Sequence, residues 1–236
     1  MKKPEGCPKI TVLICALNEA KSLPYVLPKI PDWVDEILLV NGHSVDETVE
    51  ITKKINPDIR ILCQPGHGKA NALEYGVKQA TGEIIVTLDA DGETDPSDIS
   101  RFIEPILNGY DLAKGSRLIK GQRHGKSLYR WFGNKVLAST CNLLYNTRFT
   151  DVCSGYNAFR KAGFLKLGLT YNMKEAGCSM DQQMIVRAKK AGMKIKEIPH
   201  TSYGRIAGVS AIDGFTQATK QGFTIWFTII KERFNG

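Results

Sequence analysis

The sequence predicts an α/β fold on a mostly parallel sheet, and three observations predict it. Residues 10–17 (ITVLICAL), 36–41 (EILLVN), 59–63 (IRILC) and 84–88 (IIVTL) are short runs too apolar to be strands with one wet face. Segments with helical spacing lie between them. The fourth run then breaks straight into carboxylates at every second position, Asp89, Asp91, Glu93 and Asp95. Alternate side chains of an extended chain share a side, so these charges would repel unless something positive sits among them.

The elements follow in order. Ser44-Val45-Asp46-Glu47 has capping-box spacing ahead of TVEITKKI and predicts a helix there. KANALEYGVKQA (69–80) carries apolar residues at helical intervals and ends before Gly82, and Pro96 starts the helix after the acidic turn. Strand and helix in alternation imply parallel pairing through right-handed crossovers. Beyond about residue 110 the alternation weakens. Residues 128–145 read as an amphipathic helix, 156–160 (YNAFR) and 194–199 (KIKEIP) as strands, 180–191 as a helix between them, and 222–234 as a last helix, apolar and then basic. No linker, repeat or low-complexity segment interrupts the chain, so one domain over residues 1–236 is expected.

Composition narrows the partners. The 42% hydrophobic content is ordinary for a globular protein. The charged start, MKKPEGCPK, leads directly into a strand, and no apolar run reaches membrane-spanning length. A cytoplasmic protein, at most peripheral at the membrane face, is expected. Six cysteines (Cys7, Cys15, Cys63, Cys141, Cys153, Cys178) without a Cys-x-x-Cys pair argue for reduced thiols over a zinc or redox motif. The net charge of +8 asks for an anionic partner. Between Asp111 and Asp151 no acid occurs, while Lys114, Arg117, Lys120, Arg123, Lys126, Arg130, Lys135 and Arg148 all do; the stretch is either a solvated helix face or a set of phosphate clamps. With 8% aromatics and no binding motif, a nucleic-acid partner is excluded.

In an open parallel sheet the ligand sits off the carboxyl ends of the strands, which is where the acidic cluster emerges. Hard oxygen donors there suit Mg²⁺ or Mn²⁺ completed by a diphosphate. A solvated turn accounts for Asp95 and Asp98 but not for Asp89 and Asp91, which directly follow a core strand. An EF-hand counted from Asp89 fails, since Thr94 and Ser100 occupy the places of its glycine and last glutamate. An aspartyl-phosphate-type phosphatase is a rival with the same strand and Asp-x-Asp-Gly, but it carries that motif near the chain start and a later acidic pair. QPGHGKANAL (64–73) lacks P-loop spacing, yet its glycines admit close approach to a ligand and Lys69 precedes a helix.

Several stretches together carry a resemblance: A-L-N-E (16–19), V-N-G-H-S-V-D-E-T (40–48), G-H-G-K-A-N-A-L (66–73), L-D-A-D-G (88–92), G-S-R (115–117) and D-V-C-S-G-Y-N-A-F-R (151–160). In this order the chain resembles a family-2 inverting glycosyltransferase, nearest the dolichol- and polyprenyl-phosphate sugar transferases. The resemblance implies a GT-A fold, a donor such as a GDP-, UDP- or dTDP-hexose, and Mg²⁺ or Mn²⁺. It also implies a nucleotide-sugar-binding half (1–110) and an acceptor-binding half (111–236). Ala16, Leu17 and Glu19 would line the base and ribose pocket, Asn41 the base, and Lys69 the nucleotide. Asp89, Ala90 and Asp91 would be the family's Asp-x-Asp, Asp91 the surer metal ligand and Glu93 a second.

Arg117, Arg205 and Ser210 would meet phosphate, and Asp181, at a helix start, would be the general base for an alcohol acceptor. A phosphate acceptor is already mostly dianionic at neutral pH and needs clamps in place of a base. Amphipathic segments around Trp131 and Trp226 would then lie against a membrane surface or pack in the core. The chain departs from the pattern in three places: Asn41 stands for the usual aspartate, Leu17 for an aromatic and Ala207 where histidine is common. A soluble hydroxyl acceptor is the alternative to a lipid phosphate.

Overall fold

The computed structural model describes residue 3 and residues 6–119, 128–169, 179–208 and 214–235. Each apolar run is a strand: β1 (Ile10–Ala16), β2 (Glu36–Asn41), β3 (Arg60–Cys63) and β4 (Ile84–Asp89). With β5 (Leu112–Ser116), β6 (Asn157–Arg160) and β7 (Ile195–Pro199) they form one seven-stranded sheet in the order β3-β2-β1-β4-β6-β5-β7. The pairs β1–β2, β1–β4, β2–β3 and β5–β7 are parallel, and β6 runs antiparallel to β4 and β5. The sheet is mostly parallel, as expected, and a single reversed strand links its front to its back.

Side-chain alternation explains why the strand runs lack a polar face. Ile10, Val12 and Ile14 of β1 enter one core with Leu23 of α1 (Leu23–Val26) and Phe102, Ile103 and Ile106 of α4 (Ile99–Leu107). Leu13 enters a second core with Leu73 and Val77 of α3 (Lys69–Gln79). That second core also takes residues from α5 (Leu128–Tyr145), α7 (Met180–Lys190) and α8 (Phe215–Phe234). Both faces are covered, so each fully buried aliphatic contributes roughly 1.5–3 kcal/mol wherever it points.

Two expectations need correction. The capping box does not form: α2 (Thr48–Ile55) starts with Glu47 at its cap position, and Asp46 Oδ1 accepts from Thr48 N at 3.1 Å. Ser44 Oγ instead accepts from Asn18 N at 3.0 Å, tying two loops together. The last helix begins at Phe215, ahead of the apolar run that marks it in sequence. Strand β5 and the helices α1 and α6 (Lys161–Lys166) are too short to show a strand or helix period in sequence. Among the described residues no helix is long and apolar enough to cross a membrane.

Gly115 shows how closely β5 approaches β6: its N–H donates to Tyr156 O at 2.8 Å, and a Cβ there would lie 2.6 Å from the same oxygen. A backbone oxygen cannot retreat like a side-chain tip. Gly115→Ala is expected to destabilise the fold by about 1–3 kcal/mol in urea unfolding, the usual cost of overpacking.

Candidate active site

The loops that leave β1 and β2 are sewn to each other at the carboxyl edge. Gly42 N donates to Ala16 O at 2.8 Å, Val45 N to Asn18 Oδ1 at 2.9 Å and Glu19 N to Thr48 Oγ1 at 2.9 Å. Ala16 is buried beneath, while Leu17 stands exposed above it. Asn41 Oδ1 accepts from Ser44 N at 3.0 Å, so this acceptor is engaged in the turn.

The acidic strip next to these loops is neutralised by two cations from distant segments. Lys69, first residue of α3, places Nζ 2.5 Å from Asp89 Oδ1. Arg205 places Nη1 3.1 Å from Asp91 Oδ2 and grips Glu19 with Nη2. Its Nε donates to Ala207 O at 2.7 Å, which orients the fork. The same loop docks by backbone, with Tyr203 N on Glu93 O at 2.8 Å and Ile206 N on Asp91 O at 3.1 Å. Gly92 makes this possible: its φ is +76°, and a Cβ would lie 2.3 Å from Ile206 Cδ1. Ala90 is buried between the two carboxylates. Asp95 caps the turn by accepting from Ser97 N at 3.0 Å, and Asp98 pairs with Arg101 at 2.8 Å, the solvated-turn roles expected of them.

The two aspartates differ electrically. Burial penalises the Asp89 charge, but Lys69 overcomes it and its pKa is lowered. Asp91 is pushed up to about 6 by burial and then by the negative charge of Asp89, which Arg205 only partly offsets. Among the described residues no three His, Cys, Asp or Glu side chains gather into a closed metal cage. Mg²⁺ and Mn²⁺ need less, one or two carboxylates with the rest from substrate phosphates and water. Asp91, a partly buried carboxylate still short of positive charge, fits that need, and Glu93 adjoins it through an N–H donated to Asp91 Oδ1 at 3.0 Å.

On the other side of Asp89 runs the segment 151–156, anchored from below at nearly every polar group. Asp151, fully buried, takes Arg117 Nε at 2.6 Å and Nη2 at 2.9 Å, Asn134 Nδ2 at 2.7 Å and Cys153 N at 2.8 Å. Burial opposes its charge, yet Arg117 holds the carboxyl far below the usual range. Lys114, also fully buried, donates to Ser154 O at 2.7 Å and Gly115 O at 3.1 Å. Thr87 Oγ1 donates to Gly155 O at 2.8 Å. A Cβ on Gly155 would lie 2.8 Å from Lys69 Nζ and 3.0 Å from Asp89 Oδ2, so this segment roofs the Lys69–Asp89 pair. Asp181 stands at the start of α7, where Asn157 Nδ2 donates to it at 3.1 Å. Burial raises its pKa against the pull of Lys69 and Lys114.

The structure thus brings Ala16, Leu17, Glu19, Asn41, Lys69, Asp89, Ala90, Asp91, Glu93, Asp181 and Arg205 to one edge. Arg117 differs from the implied phosphate contact in that its fork is engaged on Asp151. The basic stretch is not one surface, because Lys114 lies in the core; Lys120, Arg123 and Lys126 fall outside the described residues, as does Ser210. Asp151, Asn157 and His200 were missed as supporting residues, although the first two sit in the D-V-C-S-G-Y-N stretch.

A mostly parallel sheet with cations poised on an acidic lip at its carboxyl edge is the arrangement that the resemblance to glycosyltransferases implies. The chain belongs to glycosyl transferase family 2, whose family model matches residues 11–168. It is 32% identical over 219 residues to the uncharacterized protein MJ1222 of Methanocaldococcus jannaschii, covering 88% of each chain. It is 27% identical to the dolichyl-phosphate hexose transferase of Haloferax volcanii, covering 95% of each. Its fold matches that of glucosyl-3-phosphoglycerate synthase from Mycobacterium tuberculosis, solved with Mn²⁺, UDP-glucose and phosphoglyceric acid, at a TM-score of 0.72 and 17% identity, covering 96% of this chain and 80% of that one.

His200, buried beneath segment 151–156, supplies a pH test. Its Nδ1 faces Thr201 O at 3.1 Å and its Nε2 faces Ser154 Oγ at 2.9 Å, so the neutral ring donates to the carbonyl and accepts from the hydroxyl. Burial lowers its pKa to about 4. Between the ordinary value near 6.5 and about 4 the unfolded chain binds this proton and the folded chain does not, so stability falls as pH drops. The loss should reach about 3 kcal/mol relative to His200→Gln, read from urea unfolding of both proteins across that window.

Proposed function

We propose that this chain is a metal-dependent inverting glycosyltransferase that moves a hexose from a nucleoside diphosphate sugar to a polyprenyl- or dolichyl-phosphate-like acceptor. One observation carries the reading: Lys69 on Asp89, and Arg205 across Asp91 and Glu19, meet at the carboxyl edge of β1 and β4. Ala16, Leu17 and Asn41 receive the base and ribose. Lys69 and Arg205 turn toward the donor's phosphates. Asp91, with Glu93 beside it, would hold Mg²⁺ or Mn²⁺, which would supply positive charge for the departing diphosphate, and Asp89 would join them only where Lys69 releases it. The acceptor oxygen attacks from the face opposite that leaving group and inverts the anomeric carbon.

For the acceptor, support comes from the Haloferax relative's own activity and from an apolar face. Leu128, Phe132 and Val136 on α5 and Phe223, Phe227 and Phe234 on α8 are exposed, and α5 contains no acidic residue. Exposed apolar residues beside basic ones suit an anionic lipid surface and a prenyl tail. A second reading, a soluble hydroxyl acceptor, is favoured by Asp181: its burial-raised carboxyl, oriented by Asn157, suits a general base.

Thermal melting with GDP, UDP or dTDP tests the donor. One of them with Mn²⁺ should stabilise the chain by about 2.7 kcal/mol at a hundredfold excess over Kd, and Asp91→Ala should remove the manganese-dependent part. No response to any of the three would end the donor assignment. Asp181→Asn separates the acceptors. Transfer to a prenyl phosphate should survive within about tenfold, whereas transfer to an alcohol should fall by about 10²–10⁴.

A further inference from the structure

Away from the acidic lip, His43, Cys63 and His67 cluster where β2 and β3 end. Cys63, the last residue of β3, is exposed and stands opposite Asn41 in the strand register. Its Sγ lies 3.5 Å from His43 Nδ1, and the His67 ring centroid is 5.0 Å from that of His43. The other nitrogen of His43, Nε2, lies 2.9 Å from Gly66 O. A carbonyl oxygen only accepts, so Nε2 carries the hydrogen of the neutral ring and Nδ1 keeps its lone pair. That lone pair faces the thiol. His43 reaches this position with a φ of +67°, in the left-handed region that few non-glycine residues adopt.

We propose that Cys63 and His43 form a thiol–imidazole pair, making Cys63 the site, among the described cysteines, at which low-molecular-weight disulfides modify this protein at the base end of the donor pocket. The step balances simply. His43 Nδ1 takes the thiol proton as Cys63 Sγ attacks one sulfur of R–S–S–R; a Cys63–S–S–R bond forms, the old disulfide bond breaks, and the departing thiolate recovers the proton as R–SH. Cys63 is oxidised and half of the reagent is reduced. The other described cysteines are worse placed: Cys141 is buried, burial pushes the Cys15 thiol up to about 12, and Cys7 and Cys153 are half-buried. An adduct beside Asn41 and Gly66 would exclude a nucleotide, a consequence that rests on the donor-site reading above.

The test treats the full chain with 2-hydroxyethyl disulfide and follows each cysteine by peptide mass spectrometry. Cys63 should react at least about tenfold faster than Cys7. His43→Asn, chosen because asparagine tolerates left-handed backbone, should slow Cys63 about tenfold and leave Cys7 unchanged. An unchanged Cys63 rate in a variant with wild-type circular dichroism overturns the pair; should the variant misfold, equal rates for Cys63 and Cys7 in the native chain overturn it. The adduct should lose the nucleotide-induced rise in melting temperature, dithiothreitol should restore it, and Cys63→Ser treated alike should keep it. An adduct that binds nucleotide as the untreated chain does overturns the placement at the pocket. Failure of the untreated chain to respond to any nucleotide strikes the donor reading instead, since the labelling rates are independent of it.

Discussion

Charge compensation at the carboxyl edge of the sheet is the constraint on which the site depends. Asp89, Asp91 and Glu19 are brought close by strand geometry, and Glu19 is buried to 7% exposure, so the edge carries more negative charge than burial tolerates. The chain answers with Lys69, from the start of α3, and Arg205, from a loop more than a hundred residues downstream of Asp91 in sequence. Lys69 satisfies Asp89, but Arg205 does not close the account. Arg205 divides one guanidinium between Asp91 and Glu19, and the pKa of each carboxyl remains raised, chiefly by burial. That residual deficit favours any incoming cation, and it would leave Lys69 and Arg205 able to turn to a diphosphate once such a cation arrives.

Much of the fold was legible because the front of the chain obeys one rule per element. β1, β2 and β4 run through the sheet interior and β3 is a half-buried edge, yet continuous apolar runs mark all four to within a residue or so at each end. β5 escaped because LAKGS contains a lysine that ordinarily signals solvent. Lys114 is satisfied in the core by Gly115 O, its neighbour in sequence, and by Ser154 O, forty residues away and not readable as a partner. The reversed direction of β6 was equally unreadable, since its pairing with β4 and β5 is set by tertiary contact and not by the composition of NAFR.

The site divides in the same way. Residues that sit at strand ends or glycine turns, such as Asp89, Asp91, Lys69 and Asn41, carry their placement in local sequence. Their partners do not. That Arg117 would be held by Asp151, or that Ser44 would serve Asn18 in preference to the helix that follows it, depends on loops meeting across the sheet edge. Asp95 and Asp98 were readable for the opposite reason, since both act within a few residues of themselves.

These long-range partners tie catalysis to completion of the fold. The Lys69–Asp89 pair is roofed by Gly155, whose segment is pinned by Lys114, Thr87, Arg117 and Asn134. Lys114 is donated by β5, the segment follows α5, and Arg205 lies beyond β7, so the acidic lip acquires its second cation and its roof only when the last strands have docked. A front half alone would expose Asp89 beside Lys69 but leave Asp91 and Glu19 without Arg205. Removing one member of a buried pair costs more than the pair contributes, because the survivor keeps its desolvation penalty. The back half is therefore an electrostatic requirement of the front.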